Sequence, residues 1–431
     1  MAKIEIPFET AEESGVHLDL DLPERNLVAS FIPKEPPPIP DVGGAAVYAI
    51  EHPLQGKPLS ALVRRGDKVV IVTENQFRAA PAKEILPPVV DLIQEAGGEV
   101  SIVIGNGKVP PLTPQEIEHK LGPEILAKGI AVECNDVSQP DRYTFLGTTT
   151  RGVPLFVHKS VVQADVKITL STTQATLWGY GGSGMIIPAV SGNETIEINH
   201  LFSLPRDCRP GNNGCHMQED KYEAARRAGI DLGIHVIVNN RFEVSYIGAG
   251  DFVEAHKAAI KAYDQAYRFK AFEFAGAPAD IVITGSSAPT DHLFFHTGWA
   301  VVNCDPLCKD GGTIIQATPC PGYGSWPGFA LMDLMKEYMP PSFDNAAKAL
   351  RAFYAREREL WAGCIWWKIY EVMTRKQVII VTRKENLAMC KDAGLDATDS
   401  MGEAFEKGLQ RQGKDARVAF VPYGRYSVFD V

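Results

Sequence analysis

Lys68-Val-Val-Ile-Val-Thr73 is a short run of mostly β-branched residues, and it is followed by a helical pattern over Ala82–Ala96 and a second such run, Val100-Ser-Ile-Val-Ile-Gly105. Continuous apolar runs of this length are typical of buried strands in a parallel sheet. Further strand-like runs occur at Val166–Leu170, Ile234–Val238, Ile281–Gly285, Gly312–Ile315, Val378–Thr382 and Val418–Val421. Strand–helix alternation of this kind predicts an α/β fold with parallel-rich sheets and helices on their faces.

The predicted domain boundary lies in the second half of the chain. A helical pattern ends near Tyr267–Phe272, and Ala275-Gly-Ala-Pro-Ala-Asp280 and a new strand follow it, as is typical of a connection between domains. A length of 431 residues fits two large domains. We therefore predict two α/β domains, residues 1–272 and residues 273–431, with a cleft between them. Residues 1–30 alternate apolar and polar side chains, which predicts an antiparallel hairpin.

Composition narrows the classes of function. The chain has 43 Lys+Arg against 53 Asp+Glu, a net charge of −10, which argues against nucleic-acid binding. No apolar run is long enough to span a bilayer, and the first residues lack the apolar core of a signal peptide, so we expect no membrane contact and a cytoplasmic location. The eight cysteines are too sparse for a disulfide scaffold, and we expect reduced thiols.

Three loops after predicted strands carry candidate site residues, because ligands of open parallel sheets bind beyond the carboxyl ends of the strands. Thr73–Pro81 contains Arg78, which can hold a carboxylate in a bidentate fork but is also typical of a surface helix start. Gly105–Glu116 contains Lys108, a cation or, if desolvated, a base, although the loop also fits a plain turn. Trp178–Gly184 is glycine-rich and can cradle an anion, but it matches neither the P-loop nor the dinucleotide fingerprint.

Three histidines are candidates for ligands or catalysts. His200 ends a helical stretch, where a single histidine is more often structural than functional. His292 and His296 are four residues apart, which on a helix places both on one face, as metal-binding pairs require. No glutamate lies between them in the zincin manner, so this pattern alone does not define a zinc site.

Matching segments of one known family run along nearly the whole chain. In the first half they are Val70–Arg78 with Pro81, Gly105 with Pro110–Glu116, and Gly181-Gly182 with Ile187-Pro188, Glu194–Ile196 and Asn199-His200. In the second half they are Arg209–Gly211, His216, Asp220, Gly248–Asp251, Ala255-His256, Pro289–Asp291 and Lys309–Gly312. These segments resemble the nickel-dependent lactate racemase family in both its N-terminal and its C-terminal domain, and the resemblance implies the family's fold.

The resemblance also implies a chemistry. In these racemases a nickel pincer nucleotide is tethered through a lysine and takes a histidine as a further nickel ligand, while two more histidines act as opposed acid/base groups. The cofactor accepts and returns a hydride at the α-carbon of the substrate, whose carboxylate an arginine holds. Arg78 matches that arginine, and His200 matches the nickel-binding histidine.

The other residues that carry the family's chemistry are replaced by different residues in this chain. The cofactor-binding loop reads Tyr180-Gly181-Gly182-Ser183-Gly184, so glycine replaces the tethering lysine at position 184 and no covalent pincer can form there. One acid/base histidine is replaced by Gln174, and the loop of the other offers only Lys108. Aligned at Asp291, the resemblance places His296 and Trp299 where the family's site has a glutamine and a lysine. Asp291, His292, Trp299 and Trp361 are the further candidates for substrate binding.

Three hypotheses follow from this pattern. The first is a diverged enzyme that binds a small carboxylate and catalyses isomerisation or elimination without a covalent pincer, with Lys108, His200 and His296 as acid/base candidates. The second is a 2-hydroxy-acid racemase or epimerase whose nickel pincer nucleotide binds without a covalent bond, through His200 and the loops. The third is a non-catalytic ligand-binding protein. Each has a small-molecule partner, and each leaves assembly into a homo-oligomer open.

Overall fold

The structure, a computed structural model, describes residues 1–10, 13–285, 298–321 and 331–430. The chain divides into two compact units, and the predicted two-domain α/β architecture is confirmed. Unit 1 comprises Met1–Lys34, Ala175–Leu177 and Ala266–Val431, and unit 2 comprises Glu35–Gln174 and Trp178–Gln265. The predicted boundary after residue 272 lies close to the point between Gln265 and Ala266 where the chain passes from unit 2 to unit 1. The first 34 residues, however, group with the second half of the chain rather than with residues 35–265.

Unit 2 is built on a six-stranded sheet. From one edge to the other, its strands are Val244–Gly250, Leu232–Val238, Val166–Thr172, Lys68–Glu74, Glu99–Gly105 and Ala131–Cys134. Only the first pair is antiparallel, and the other four neighbouring pairs are parallel. In Lys68–Glu74 every residue after Lys68 is buried, which explains why its sequence is continuously apolar up to Thr73.

Helices cover this sheet. They are Val42–Glu51, Leu59–Leu62, Ala82–Glu95, Pro114–Leu121, Pro123–Ala127, Lys159–Gln163, Asn193–Leu201, His216–Ala228 and Phe252–Tyr267. Ala82–Glu95 shows why they pack there: most of its apolar residues recur at helical spacing and are buried in one core with the strand residues Val69 and Ile71. A separate hairpin pairs Tyr143–Thr148 with Pro154–His158, and Ala175–Thr176 and Gly179–Tyr180 are two short strands.

Unit 1 is built on a six-stranded parallel sheet. Its strand order is Asp396–Thr398, Gln377–Val381, Cys308–Ala317, Ala279–Gly285, Val418–Val421 and Leu27–Ser30. Leu27–Ser30 forms the edge, which is why the first residues group with the end of the chain. The predicted hairpin is confirmed as Ala2–Pro7 paired antiparallel with His17–Leu22. Arg268–Lys270 pairs with Val428–Asp430.

The helices of unit 1 follow its strands. They are Ala271–Ala275, Trp299–Cys304, Leu331–Tyr338, Phe343–Tyr354, Leu360–Met373, Leu387–Asp392 and Met401–Gln412, with single turns of 3-10 helix at Glu24–Asn26, Asp305–Leu307 and Lys384–Asn386 and, in unit 2, at Pro140–Arg142. Across the described ranges, no helix combines the length and the apolar character needed to cross a membrane.

Candidate functional site

The three loops singled out from the sequence lie at the same end of the unit 2 sheet, where its central parallel strands reach their carboxyl ends. They follow the strands Val166–Thr172, Lys68–Glu74 and Glu99–Gly105, which are direct neighbours and run parallel. The strands that follow Lys68–Glu74 in the chain first add to one side of it, and later strands, beginning with Val166–Thr172, add to the other side. The strand order therefore reverses between Lys68–Glu74 and Val166–Thr172. Such a switch point is where open α/β sheets bind ligands.

The loop that carries Arg78 is held rigidly. The carboxylate of Glu74 accepts hydrogen bonds from the backbone N–H and the hydroxyl of Thr172, both at 2.8 Å, and a longer one from the N–H of Ala80. Lys120 is buried and donates to the carbonyl oxygens of Arg78 and Ala80 at 2.9 and 3.1 Å. The arginine is therefore presented on a fixed backbone.

Lys120 also makes this loop electropositive. Its burial lowers the pKa of the ammonium to about 8; the carboxylate of Glu74 raises the pKa and the guanidinium of Arg78 lowers it further. At neutral pH Lys120 is still mostly charged, so the cations of Lys120 and Arg78 lie together with the carboxylate of Glu74 at the strand end. Positive charge exceeds negative charge among these three groups, which favours the binding of a further anion such as a carboxylate.

Lys108 lies in a buried ion pair that the sequence did not reveal. Its Nζ is 2.9 Å from the Oε1 of Glu197, and the two side chains are only 10% and 5% exposed. Glu197 lies on the helix Asn193–Leu201, three residues before His200, so both project from neighbouring positions of one face. The structure thus brings Lys108 and His200 together through Glu197. A role of Lys108 as a base requires this ion pair to open.

His200 is buried as a neutral imidazole. Burial, with the positive charges of Lys221 and Lys108, lowers its pKa to about 3. The Nδ1 atom lies 2.7 Å from the carbonyl oxygen of Ile196, and we assign the proton to Nδ1 because a carbonyl can only accept. The lone pair then lies on Nε2, which is the arrangement of a histidine metal ligand with a backbone carbonyl as its second partner.

The Gly-rich loop is anchored by buried side chains of following helices. Gln218 donates to the carbonyls of Trp178 and Tyr180 at 2.7 and 3.0 Å. The Nε2 atom of His256 donates to the carbonyl of Gly181 at 2.6 Å, so its Nδ1 accepts from the hydroxyl of Tyr222.

A second buried histidine supports this arrangement. The ring of His235 stacks on that of His256, with centroids 5.0 Å apart. Burial, the largest cause, lowers the pKa of His235 to about 4 and that of His256 well below its ordinary value. The Gly-rich loop thus rests on a neutral imidazole pair.

Gly184 has no room for a side chain. Its φ is +87°, and a Cβ atom built there would lie 2.3 Å from the Cβ of Ala225 and 3.2 Å from the ring of Phe252. Position 184, where the resemblance places the family's tethering lysine, is therefore closed by backbone conformation and by packing, and a lysine side chain does not fit there. Ser183, the residue before it, is buried as well.

Several buried polar atoms at the carboxyl ends of these strands have no hydrogen-bond partner among the described residues. They are Thr73 Oγ1, Gln76 Oε1 and Asn106 Oδ1, each at the end of a strand or in the loop that follows it. Gln174 is also buried, and its backbone carbonyl accepts from the backbone N–H of Gly181 at 3.0 Å. Buried polar atoms are normally paired, so a polar ligand at these strand ends would satisfy them.

The predicted residues of the second half fall partly outside the described ranges. Asp291, His292 and His296 lie there. Trp299 is buried in unit 1 with the guanidinium of Arg425 over its ring, 4.9 Å from the centroid. Trp361 is half-buried near the start of the helix Leu360–Met373.

Three charged residues of the unit 2 site were not predicted from the sequence. Glu197, Lys120 and Lys221 are all at least 92% buried, and the ammonium of Lys221 lies 5.9 Å from the centroid of the Trp178 ring. The signal for Glu197 was present, since it is three residues before His200 on a predicted helix. Lys120 and Lys221 lie among other charged residues on amphipathic helices, where the sequence pattern indicates a solvated face.

Comparison with known proteins agrees with this architecture. The model of the lactate racemase N-terminal domain matches residues 14–208, and that of the lactate racemase C-terminal domain matches residues 274–429. The lactate racemase of Thermoanaerobacterium thermosaccharolyticum is 26% identical over 440 residues, covering 98% of each chain. The lactate racemase of Lactiplantibacillus plantarum is 23% identical over 394 residues, covering 87% of this chain and 88% of that one.

Solved structures show the same fold. The lactate racemase apoprotein from T. thermosaccharolyticum superposes with a TM-score of 0.89 at 24% identity, covering 100% of both chains. A protein from Thermotoga maritima gives a TM-score of 0.68 at 15% identity, covering 93% of this chain and 100% of the other. With both domain models matched in order along the chain, the protein belongs to the lactate racemase family.

Proposed function

We propose that the protein is an isomerase that inverts the configuration at the α-carbon of a small 2-hydroxycarboxylate, without a lysine-tethered nickel cofactor. The observation that carries the proposal is the fixed, electropositive Arg78 loop at the switch point of the unit 2 sheet, combined with the closed position at Gly184. The first supports a carboxylate substrate, and the relatives are named lactate racemases. Elimination, the other reaction considered, has no support from these relatives.

The roles of the residues follow from their contacts. Arg78 binds the substrate carboxylate, and the nearby charge of Lys120 strengthens the attraction. The Lys108–Glu197 pair offers a proton donor and a proton acceptor in one buried contact, which opens when the substrate's own polar groups replace one partner. Gln174 hydrogen-bonds the substrate without carrying a proton. His296, the other acid/base candidate from the sequence, lies outside the described residues.

The direct test is racemisation in D2O. Enantiopure lactate and longer 2-hydroxy acids are incubated with the protein, and the product is analysed by chiral chromatography and mass spectrometry. Proton transfer through Lys108 and Glu197 predicts inversion with deuterium incorporated at the α-carbon. Inversion with no deuterium would instead indicate that hydrogen leaves and returns as hydride, and would contradict the acid/base route. No inversion of any 2-hydroxy acid would contradict the proposed activity.

Arg78 gives a second prediction. Arg78→Ala removes a bidentate, charge-assisted contact, and we expect kcat/KM to fall by about 100-fold or more, mainly through KM. Arg78→Lys keeps the charge but loses the fork, so we expect an intermediate loss. Arg25→Ala is the control, because the side chain of Arg25 is 67% exposed and lies in unit 1. Equal values of kcat/KM for Arg78→Ala and the control would show that Arg78 does not bind the substrate.

A second candidate function is a racemase with a nickel pincer nucleotide held without a covalent bond. The neutral imidazole of His200, with its lone pair on Nε2, favours it. When bound, this cofactor supplies hydride acceptance and return at the α-carbon. His200 would hold the nickel, and Gly181, Gly182 and Ser183 would lie along the nucleotide.

Elemental analysis and intact-mass spectrometry separate the two candidates. The protein is produced together with enzymes that make the pincer nucleotide. The first candidate predicts no nickel and an unmodified mass. About one equivalent of nickel, released as a small nucleotide on denaturation and lost in His200→Ala, would select the second.

A further inference from the structure

Two cysteines of unit 2, Cys208 and Cys215, are in contact beside the Gly-rich loop. Their Sγ atoms are 3.5 Å apart. The Sγ of Cys208 also lies 3.9 Å from the Sδ of Met217. These three buried residues form a small cluster on which the half-buried rings of Trp178 and Phe202 pack. The proposed isomerisation does not use this cluster.

The thiol of Cys215 differs from most other thiols of the chain. A hydrogen bond with Cys208 is the largest cause that lowers its pKa to about 6, and the charge of Lys221 contributes. Cys215 also immediately precedes the helix His216–Ala228, whose positive end favours a thiolate. By contrast, burial raises the pKa of four other thiols, those of Cys134, Cys304, Cys308 and Cys390.

We propose that Cys208 and Cys215 are a redox-active dithiol that a hydroperoxide converts into an intramolecular disulfide. The thiolate of Cys215 attacks one peroxide oxygen, the O–O bond breaks, and Cys215 becomes a sulfenic acid while the leaving oxygen takes up a proton. The sulfur of Cys208 then attacks the sulfenic sulfur, loses its proton, and releases water as the S–S bond forms. Two thiols are oxidised, and one hydrogen peroxide is reduced to two water molecules.

The geometry suits this reaction. The sulfur atoms have to approach from 3.5 Å to about 2.05 Å, which side-chain rotation in the short segment between the two residues can supply. The reacting pair is also preassembled, so the second thiol captures the sulfenic acid before a second peroxide can oxidise it further.

The bond would act on the candidate site through Trp178. The Sγ of Cys215 lies 3.8 Å from the carbonyl oxygen of Trp178, and Gln218, one turn further along the same helix, donates to the same oxygen. The disulfide therefore fixes the helix start that holds the first residue of the Gly-rich loop. The indole of Trp178, 5.8 Å from the ring of His200, reports the change.

The test is oxidation followed by mass spectrometry. The reduced protein, freed of reductant, is treated with a small excess of hydrogen peroxide, blocked with N-ethylmaleimide, and digested without reduction. We expect two of the eight thiols to be lost, the mass to fall by that of two hydrogen atoms, and one cross-linked peptide pair to join Cys208 to Cys215. Dithiothreitol should reverse all three changes.

Two variants keep the test decisive. Cys215→Ser preserves the position before the helix, where serine is a favourable residue, and should abolish the cross-link while leaving the fold intact by circular dichroism. Cys134→Ser, the control, removes a buried thiol of raised pKa and should leave the cross-link unchanged. Retention of all eight thiols in the folded protein, or oxidation that maps to other cysteines, would overturn the proposal. No turnover is measured, so the result is independent of the proposed isomerase activity.

Discussion

Acidification from pH 7 to about pH 4.5 is expected to remove most of the free energy of unfolding. His200 and His235 have pKa values lowered to about 3 and about 4, and the pKa of His256 is also well below its ordinary value, in each case chiefly because of burial. In the unfolded chain all three titrate near 6.5. Below that pH the unfolded state binds protons that the folded state does not bind. The free energy of unfolding therefore has its full value above about pH 6.5 and falls as the pH is lowered.

The size of this effect follows from linkage. Each histidine contributes a slope of about 1.4 kcal/mol per pH unit between its unfolded and folded pKa values, so these three together give about 4 kcal/mol per unit. Burial also lowers the pKa of His158, which adds to the slope in the same direction. A typical domain has only about 5–15 kcal/mol of stability. Urea unfolding at pH 7, 6 and 5 measures the slope.

Variants test which histidines are responsible. His235→Asn should reduce the slope by about 1.4 kcal/mol per pH unit, the contribution of one histidine. His52→Asn, which changes a histidine at the protein surface, should leave the slope unchanged. A free energy of unfolding that is constant from pH 7 to pH 5 would contradict the assignment of neutral buried imidazoles.

Gly184→Ala should be strongly destabilising, by about 2–5 kcal/mol. A left-handed φ costs a residue with a Cβ about 1–2 kcal/mol, and overpacking against Ala225 and Phe252 adds about 1–3 kcal/mol. The same reasoning predicts that Gly184→Lys does not create a cofactor tether, because the backbone directs the new side chain into the helix His216–Ala228. Thermal and urea unfolding of the Ala variant test the first statement, and intact mass of the Lys variant tests the second.

Two comparisons isolate the steric part of this cost. Gly66 has the same φ of +87°, but no atom lies within 4 Å of the place that a Cβ would take there, so Gly66→Ala measures the backbone strain alone. The double variant Gly184→Ala/Ala225→Gly removes the clash and should recover about 1–3 kcal/mol relative to additivity. Equal losses for Gly184→Ala and Gly66→Ala would show that contact with Ala225 does not limit this position.

Much of the fold was predictable because strand runs are local. The run from Lys68 to Thr73 predicted a strand that the structure extends to Glu74, and the alternation in residues 1–30 predicted the hairpin. The strand Leu27–Ser30 could not be assigned to its sheet from sequence. A short apolar segment indicates a strand but not its partner, and its partner Val418–Val421 lies at the other end of the chain.

The candidate site was predictable to the extent that loops after parallel strands converge. Arg78, Lys108, Gln174 and the Gly-rich loop do lie at neighbouring strand ends. The charges that set their chemistry come from elsewhere: Glu197 is 89 positions from Lys108, and Lys120 is 42 positions from Arg78. A pattern on a helix surface does not reveal which charged residue is buried, because burial depends on what the fold packs against it.

The position of Leu27–Ser30 has a consequence for the order of folding during synthesis. The side chain of Asn26 donates to the carbonyl of Ala416, which is 390 residues further along the chain. Unit 2, by contrast, draws nearly all of its residues from one intervening stretch, so it can form while the end of unit 1 is still on the ribosome. The strand Leu27–Ser30 must then wait for its partner Val418–Val421, and non-local pairing of this kind is slow. We therefore expect the early segment to depend on chaperone protection until translation ends.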